Sequence, residues 1–242
     1  MIKEDIFALL IGKKNSTGFP GKNIMNINGQ PSCEYGFQAA KRLGIKNIFV
    51  STDCPNIIKI GLKYNAQVIE RPDYLATPEA LTEDVLVHAY KEILATNKNK
   101  PSIVVLLFAN NPAISINLIK KGIKKLQENP TYDSAFSVCK YNMFSPTRAR
   151  KLINEKIQPF VSLDLIGKIN SIRSSQGDVY FCDLSVQVIR NRVFENMSEG
   201  MQPFQWMGKK SYPLINTFGF DIDEEWQKAA IEIWLKKNWK YE

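Results

Sequence analysis

Residues 6–23 read IFALLIGKKNSTGFPGKN, an apolar run that leads directly into a loop rich in lysine and glycine. The run at 6–11 predicts a buried strand, and the loop at 12–23 predicts an anion-binding turn at its end. Glycines allow a ligand to approach the backbone, Pro20 stiffens the turn, and lysines supply positive charge. A solvated surface loop is the plain alternative, so a second feature is needed to decide.

Two common phosphate-binding motifs do not fit this loop. A Walker A motif requires Gly-Lys followed by Ser or Thr, whereas Gly21 and Lys22 are followed by Asn23. The spacing of the dinucleotide fingerprint GxGxxG is also absent from the loop. The loop therefore predicts phosphate chemistry of another kind.

The 242 residues suit a single α/β domain covering 1–242. Hydrophobic residues make up 44% and charged residues 23%, which is typical of a globular chain. No apolar run approaches the roughly 20 residues of a membrane span, and the start MIKEDIF does not resemble a secretory leader. We expect a cytoplasmic protein without a membrane partner.

The four cysteines, Cys33, Cys54, Cys139 and Cys182, are dispersed, and His88 is the single histidine. This pattern argues against a zinc site or a disulfide framework. His88 lies in a helical pattern, where a packed or surface position is favoured over catalysis. The net charge of +8 comes from lysines mixed with acids along the chain, which favours a basic cleft for acidic small molecules over a nucleic-acid surface.

Strand-like and helix-like segments alternate along the chain, which predicts an α/β fold with a mostly parallel sheet. The predicted strands are IFALLI, KNIFVST, AQVIER, SIVVLLFA, SAFSVCKY, VYFCDLSVQVIRN and INTFGFDID, the sixth ending in a helix. The predicted helices are PSCEYGFQAAKRLG, PNIIKIGLKYN, LTEDVLVHAYKEIL, LIKKGIKKLQENP and EEWQKAAIEIWLKKNW. Residues 142–178 break the pattern and are predicted to form an excursion from the sheet.

Polar residues follow the predicted strands at the points where ligands bind in open parallel sheets. Besides the lysine loop, they are Asp53, Asn110 with Asn111, and Asp221 with Asp223. Their shared placement favours a common cleft. Asp53 serves equally well as a helix-starting residue before Pro55. For the two asparagines, substrate binding is favoured over a turn before Pro112, because a buried strand precedes them.

Asp221 and Asp223 project to the same side if their segment is extended, because strand side chains alternate. Two carboxylates of this kind are suited to Mg²⁺, which bridges carboxylates to substrate phosphates. In the alternative, Asp223 caps the closing helix.

GFPGKN at 18–23 and FDID at 220–223 are the specific parts of a resemblance that covers nearly the whole chain. STD at 51–53, RPDYLAT at 71–77, the stretch from Ala80 and PFQWMGKK at 203–210 add to it. The chain resembles the acylneuraminate cytidylyltransferases, which activate acidic sugars of eight or nine carbons. The resemblance implies a Rossmann-like, GT-A-like nucleotidyltransferase fold.

The resemblance further implies transfer of CMP from CTP to a sialic-acid-like sugar, with release of pyrophosphate and with Mg²⁺ as cofactor. Such products serve surface glycans, for example lipopolysaccharide or capsule. Lys13, Lys22 and Asp223 would be catalytic, and Asp221 and Asp223 would hold the metal. Nucleotide contacts would come from Gly12, Lys13, Lys22, Asn23, Arg71, Ala80 and Thr82. Two alternatives stay open: Arg71 forms a surface ion pair, and Thr82 caps the helix that follows it.

Asn110, Asn111 and Arg148 are the candidate sugar-binding residues. The resemblance implies a homodimer in which the excursion packs against a second subunit and lends it basic residues. It is equally open that Arg148 and Arg150 are simply two exposed arginines without a role in a neighbouring subunit.

Three departures from the family pattern limit the choice of substrate. Lys13 replaces an arginine, Thr17 replaces a lysine, and LFANNPAI at 107–114 replaces LQPTSPLR. Lysine lacks the bidentate fork of arginine. A nucleotidyltransferase with another nucleotide or sugar, or a non-catalytic nucleotide-sugar-binding protein, therefore remains an alternative.

Overall fold

The computed structural model describes residues 4–16, 18–167 and 169–241, so Thr17 lies outside the described residues. The strands there, in chain order, are β1 (Ile6–Ile11), β2 (Asn26–Ile27), β3 (Gln30–Pro31), β4 (Asn47–Thr52), β5 (Gln67–Glu70), β6 (Ile103–Phe108), β7 (Ser134–Lys140), β8 (Arg150–Ile153), β9 (Lys156–Pro159), β10 (Tyr180–Arg190) and β11 (Ser211–Asn216).

The α-helices of the described residues are α1 (Glu34–Arg42), α2 (Pro55–Lys63), α3 (Thr82–Thr96), α4 (Ile116–Glu128), α5 (Leu163–Ile166), α6 (Asn191–Glu195) and α7 (Glu225–Asn238). Short 3₁₀ helices occupy Lys22–Ile24, Asp73–Leu75, Asn142–Phe144, Arg173–Gln176, Met197–Glu199, Gln205–Met207 and Trp239–Tyr241. Among the helices in these ranges, none has the length and apolar character needed to cross a membrane.

A seven-stranded sheet in the order β11-β7-β10-β6-β1-β4-β5 forms the centre of the molecule. All neighbouring pairs are parallel except those of β10, which runs antiparallel to both β6 and β7. The predicted α/β fold with a mostly parallel sheet is therefore confirmed. Because β1, β4, β6, β7 and β11 run in one direction, their carboxyl ends meet at one edge.

Side chains of β1 alternate between two buried layers, as a strand covered on both faces requires. Ala8 and Leu10 belong to the cluster with α1, α2 and α4, whereas Phe7 and Leu9 pack in the cluster with α3 and α6. A third cluster joins α7 to the segment around Ile27. The carboxyl end of β1 is thus held rigidly between two cores.

Two segments differ from the sequence prediction. The last strand, predicted over 215–223, ends at Asn216, so Asp221 and Asp223 lie outside the sheet. The segment turns away there because Ile222 is fully buried with α7, in the third cluster. Within the excursion, β8 and β9 pair as a separate two-stranded sheet.

Candidate active site

The lysine loop begins where β1 ends, and its first residue packs closely against β6. The amide of Gly12 donates to the carbonyl of Ser51, 3.3 Å away, at the end of β4. A Cβ at Gly12 would lie 2.5 Å from the Cβ of Ala109 and 3.0 Å from Cδ1 of Ile57. Only glycine therefore lets the loop leave the strand at this point without displacing its neighbours.

Polar contacts hold the loop in place. Asn23 is buried, and its Nδ2 donates to the carbonyl of Lys13 across 2.7 Å. The Nζ of Lys13 lies 3.4 Å from the carbonyl of Thr77. The amide of Lys14 donates to Oδ1 of Asp53 at 2.8 Å, so Asp53 anchors the loop and does not cap α2, whose N-cap is the next residue.

Asn110, just beyond β6, holds the acidic segment. Its Nδ2 donates to Oδ2 of Asp221 at 3.1 Å, and its carbonyl accepts from the amide of Ile222 at 2.9 Å. Burial raises the pKa of Asp221, and the negative charge of Asp223 raises it further. The site thus holds a carboxylate in surroundings that favour a positive partner.

Asp223 reaches the lysine loop, where its carboxylate forms an ion pair with the Nζ of Lys22. The N-cap of α7 is Glu224, in a capping box with Gln227, so the alternative reading of Asp223 as the helix cap is wrong. The two features that the sequence singled out are therefore in direct contact.

An open cleft of about 210 Å³ lies between these elements. The predicted residues that line it are Gly12, Lys13, Lys22, Asn23, Arg71, Ala80, Thr82, Asn110 and Asp221. Lining residues that the sequence analysis did not name are Ile11, Ser16, Leu75, Thr77, Val85 and Phe108. Leu75 and Thr77 lie in the quoted RPDYLAT segment, and Val85 lies in the family-like stretch from Ala80. Ser16 belongs to the lysine loop and Phe108 to LFANNPAI, whereas Ile11 reads simply as a core residue of β1.

Arg71 lies deep in the cleft. Its Nη2 donates to the carbonyl of Ser51 at 2.8 Å, while its Nε is buried without a partner among the described residues. Burial lowers the pKa of the guanidinium, with the charge of Asp53 acting in the opposite direction. Donors left over in a half-buried guanidinium are suited to an anionic or carbonyl-bearing ligand, and the surface ion-pair reading does not fit.

Thr82 is the first residue of α3, and Leu81 occupies the N-cap without a side-chain hydrogen bond. The reading of Thr82 as the cap is therefore wrong. Backbone N–H groups in this first turn lack a side-chain acceptor, and helix N-termini carry partial positive charge. The start of α3 thus adds donors to the cleft.

Two candidate sugar-binding residues do not line the cleft. Asn111 is 2% exposed, and its Nδ2 donates to the carbonyl of Asp183 at 3.2 Å. Arg148 is exposed on the excursion, where its Nε donates to Oε1 of Gln176 at 3.0 Å. Asn111 points into the protein because its amide satisfies a buried carbonyl, and Arg148 is held on the excursion outside the cleft lining.

The donor set of the cleft suits a hard cation that also binds phosphate. Within 4–16, 18–167 and 169–241, no cluster of three or more His, Cys, Asp or Glu side chains is positioned for a metal ion. Asp221 and Asp223 offer carboxylate oxygens beside the cleft. Two carboxylates complemented by substrate phosphates and water are a usual environment for Mg²⁺.

Comparison with known proteins places this geometry in a family. A family model described as cytidylyltransferase matches residues 11–197, which include the loop, the start of α3 and the end of β6. The 3-deoxy-manno-octulosonate cytidylyltransferase of Haemophilus ducreyi is 25% identical over 145 residues, 58% of this chain and 54% of that protein. The N-acylneuraminate cytidylyltransferase of Oncorhynchus mykiss is 24% identical over 228 residues, 94% of this chain and 50% of that protein.

The chain thus spans about half the length of these relatives. Among solved structures, CMP:2-keto-3-deoxy-manno-octonic acid synthetase complexed with CTP is similar, with a TM-score of 0.66 at 14% identity. That likeness covers 96% of this chain and 98% of the other, and it shows a shared fold. The family resemblance carried by GFPGKN is confirmed, and the chain belongs to the cytidylyltransferase family.

Proposed function

We propose that the protein transfers CMP from CTP to an acidic sugar of eight or nine carbons and releases pyrophosphate. The observation that carries this proposal is the meeting of Lys22 and Asp223 at one cleft in a chain of the cytidylyltransferase family. The loop supplies positive charge for a triphosphate, and the acidic segment supplies metal ligands. The relatives named above, for 3-deoxy-manno-octulosonate and N-acylneuraminate, support an acidic sugar as the acceptor.

In the proposed reaction a sugar hydroxyl attacks the α-phosphorus of CTP. The new bond joins the sugar oxygen to phosphorus, the bond to the bridging oxygen of the β-phosphate breaks, and the hydroxyl proton passes to solvent water. Lys13 and Lys22 would offset the charge of the departing pyrophosphate, and Asn23 would keep the loop in position through its bond to Lys13. Catalysis then rests on positioning and on charge neutralisation.

Asp221 and Asp223 are the residues that would hold Mg²⁺. A bound Mg²⁺ would neutralise phosphate charge and polarise the attacking hydroxyl. Asn110 would fix the orientation of the Asp221 carboxylate through its hydrogen bond at 3.1 Å. Because the Asp223 carboxylate forms an ion pair with Lys22, this proposed metal ligand is in direct contact with the phosphate loop.

The nucleotide would lie along the start of α3. Arg71 and the backbone at Ala80 and Thr82 line this side of the cleft, together with apolar side chains of Leu75 and Val85. A flat base fits between apolar walls, with Arg71 and the free helix N–H groups as polar partners. The use of CTP agrees with a cytoplasmic reaction, and we propose that its product serves a surface glycan.

The identity of the sugar depends on the departures at 107–114. Phe108, in place of a family glutamine, lines the cleft, whereas Ile114, in place of a family arginine, is buried. An arginine is therefore not available from this position to bind the sugar carboxylate. We propose a nonulosonic or related acid whose carboxylate is bound elsewhere in the site.

Incubation of the protein with CTP, Mg²⁺ and a panel of octulosonic and nonulosonic acids, with pyrophosphate as the readout, tests the proposal. We expect pyrophosphate release with at least one acid, and a thermal-shift ranking in which CTP stabilises more than UTP, GTP or ATP. Binding of CTP without turnover across the panel would favour a non-catalytic binding protein. A ranking led by another nucleotide would favour a different nucleotidyltransferase.

We further propose that the excursion packs against a second copy of the chain. Leu152 and Ile157 are cross-strand partners in the β8–β9 hairpin, so they share one face, and they are 78% and 72% exposed. Phe160 and Leu165, elsewhere in the excursion, are 65% and 82% exposed. Clustered apolar side chains of this kind mark interaction surfaces.

A further inference from the structure

Asp183 is a buried carboxylate that the proposed reaction does not use. It is 4% exposed and lies on β10, where the register with β7 shifts between Cys182 and Gln187. The following residue, Leu184, has φ of 56°, an uncommon value for a residue with a branched side chain. The bulge that results turns the Asp183 side chain toward the carboxyl ends of β7 and β11.

Donors from β7, the bulge and β11 converge on this carboxylate. Oδ1 accepts from Oγ of Ser137 and from the amide of Ser185 at 2.9 Å. Oδ2 accepts from Sγ of Cys139 at 3.0 Å and from Nδ2 of Asn216 at 3.1 Å. Each oxygen of the buried Asp183 carboxyl group is therefore in hydrogen-bond contact with two donors.

Cys139 is arranged to keep its proton and donate it. Burial raises the pKa of the Cys139 thiol, and the nearby charge of Asp183 raises it further. The thiol is therefore a hydrogen-bond donor at physiological pH.

Asp183 contacts both chain segments that carry Asn110 and Asp221. Its carbonyl accepts from Nδ2 of Asn111, the neighbour of Asn110. A Cβ at Gly219 would lie 2.7 Å from Cγ of Asp183, so the backbone two residues before Asp221 rests directly on this carboxylate. Asp183 thus contacts the chain next to Asn110 and the chain just before Asp221, and these two residues are hydrogen-bonded to each other.

Tyr141 holds Gly219 from the other side. Its hydroxyl accepts from the amide of Gly219 at 3.3 Å and donates to the carbonyl at 3.4 Å. The segment that leads to Asp221 is therefore fixed between a phenol and a buried carboxylate. An apolar residue at 183 would fill the space but would leave the donors of Cys139 and Asn216 unsatisfied.

We propose that Asp183 is a positioning residue for the metal end of the cleft, an inference that rests on the function proposed above. Its carboxyl group packs against the backbone at Gly219 and its main-chain carbonyl binds the Asn111 side chain. These contacts place Asn110 and Asp221 for binding a divalent cation. Asp183 does not itself line the cleft. Groups that hydrogen-bond directly to metal ligands change metal affinity by roughly 10- to 100-fold when substituted, and Asp183 acts one contact farther away, so we expect the lower end of that range.

Asp183→Asn tests the proposal, because an amide cannot accept from donors at both oxygens. The matched control is Asp133→Asn. Asp133 also accepts several hydrogen bonds, from Nε of Arg192 and the amides of Lys209 and Lys210, but it lies before β7, at the opposite end of the strand. Both substitutions remove one structural carboxylate, and only the first touches the acidic segment.

Binding of Mn²⁺ alone, followed by the electron paramagnetic resonance signal of the free ion, is the primary readout. We expect Asp183→Asn to weaken Mn²⁺ binding by about tenfold or more. Asp133→Asn is expected to bind Mn²⁺ like the wild type, even when its melting temperature falls as far as that of Asp183→Asn. In steady-state assays, the Mg²⁺ concentration for half-maximal rate is expected to rise in Asp183→Asn, with the KM for CTP nearly unchanged.

Equal Mn²⁺ affinity in wild type and Asp183→Asn would overturn the inference, as would an equal loss in Asp133→Asn. If Asp183→Asn does not fold, Asn216→Ala removes a single donor to Oδ2, and unchanged Mn²⁺ affinity in that variant would overturn the inference as well. A wild-type protein that binds neither Mn²⁺ nor CTP and releases no pyrophosphate would refute the proposed function and this inference with it. Wild-type turnover with unchanged variants would refute the inference alone.

Discussion

Lys22 and Asp223, 201 positions apart in the chain, form an ion pair beside the cleft that Lys22 lines. We propose that Lys22 binds the phosphates of CTP and that Asp223 binds the metal. The Lys22 side chain is 15% exposed and that of Asp223 is 53% exposed. Because the Asp223 carboxylate is half exposed, solvent screens the pair, and a triphosphate and a divalent cation can replace it at little cost.

Lys22→Met is expected to change metal binding and catalysis in opposite directions. Without the ammonium group, Asp223 loses a competing cation, so Mn²⁺ alone should bind more tightly than to the wild type. Pyrophosphate release from CTP should fall by about 100-fold, because a charge that stabilises the leaving group is lost. Lys121→Met, an exposed lysine on α4, is the charge-matched control for both measurements. Weaker Mn²⁺ binding by Lys22→Met would contradict the shared role of Asp223.

Asp221→Asn is expected to stabilise the metal-free protein at neutral pH. Burial and then Asp223 raise the folded-state pKa of Asp221 above its unfolded value, so ionisation destabilises the fold as pH rises through the raised pKa. Below the unfolded pKa the penalty disappears. Urea unfolding in EDTA should therefore show the variant to be more stable than the wild type at pH 7 and nearly equal near the unfolded pKa. Turnover should be lost throughout.

Asp133→Asn is expected to change stability in the opposite direction in the same series of urea unfolding measurements against pH. Burial alone would raise the pKa of Asp133, but hydrogen bonds from Arg192, Lys210 and Lys209 outweigh it and lower the pKa. Its contribution to stability is present above the unfolded pKa and is lost as pH falls through the folded one. The variant should be less stable than the wild type at pH 7, with a smaller difference in acid. The same sign for both aspartates would refute this account.

Much of the fold and of the cleft follows from local sequence patterns. The continuous apolar run of β6 and the amphipathic α4 are visible without a structure, and their alternation places the lysine loop and Asn110 at one edge. The direction of β10 is not visible in this way. A strand reads alike in either direction, and its antiparallel pairing is settled by the irregular chain at 142–178 that precedes it.

The acidic segment shows where local patterns fail. The alternation in INTFGFDID predicts one long strand, but the chain leaves the sheet after Asn216 because Ile222 packs against α7. Asp183 gave no signal within a strand-like segment, since its donors come from positions as distant as 137 and 216. A buried polar network is defined by tertiary contacts, and a single sequence does not display them.

Gly12→Ala is expected to disturb the site far more than Gly18→Ala in the same loop. A Cβ at Gly12 would meet Ala109 at 2.5 Å, whereas one at Gly18 meets no described atom within 4 Å. Gly12→Ala should therefore push the loop from the end of β6 and reduce turnover by about 100-fold, the scale expected for a displacement near 1 Å. Gly18→Ala should keep turnover within about threefold, given the usual small effect of exposed substitutions. Equal kinetics for the two variants would contradict the packing role of Gly12.

Leu152→Asp with Ile157→Asp is expected to convert a dimer to a monomer. The two side chains share one face of the β8–β9 hairpin, so two added carboxylates would place charge in the centre of the proposed apolar contact. Sedimentation velocity measures the outcome. The control is Leu62→Asp with Ile233→Asp, two similarly exposed apolar residues on α2 and α7. A wild type that is monomeric at micromolar concentration, or a hairpin variant that stays dimeric, would refute the proposed interface, because burial of this apolar face is the proposed source of its affinity.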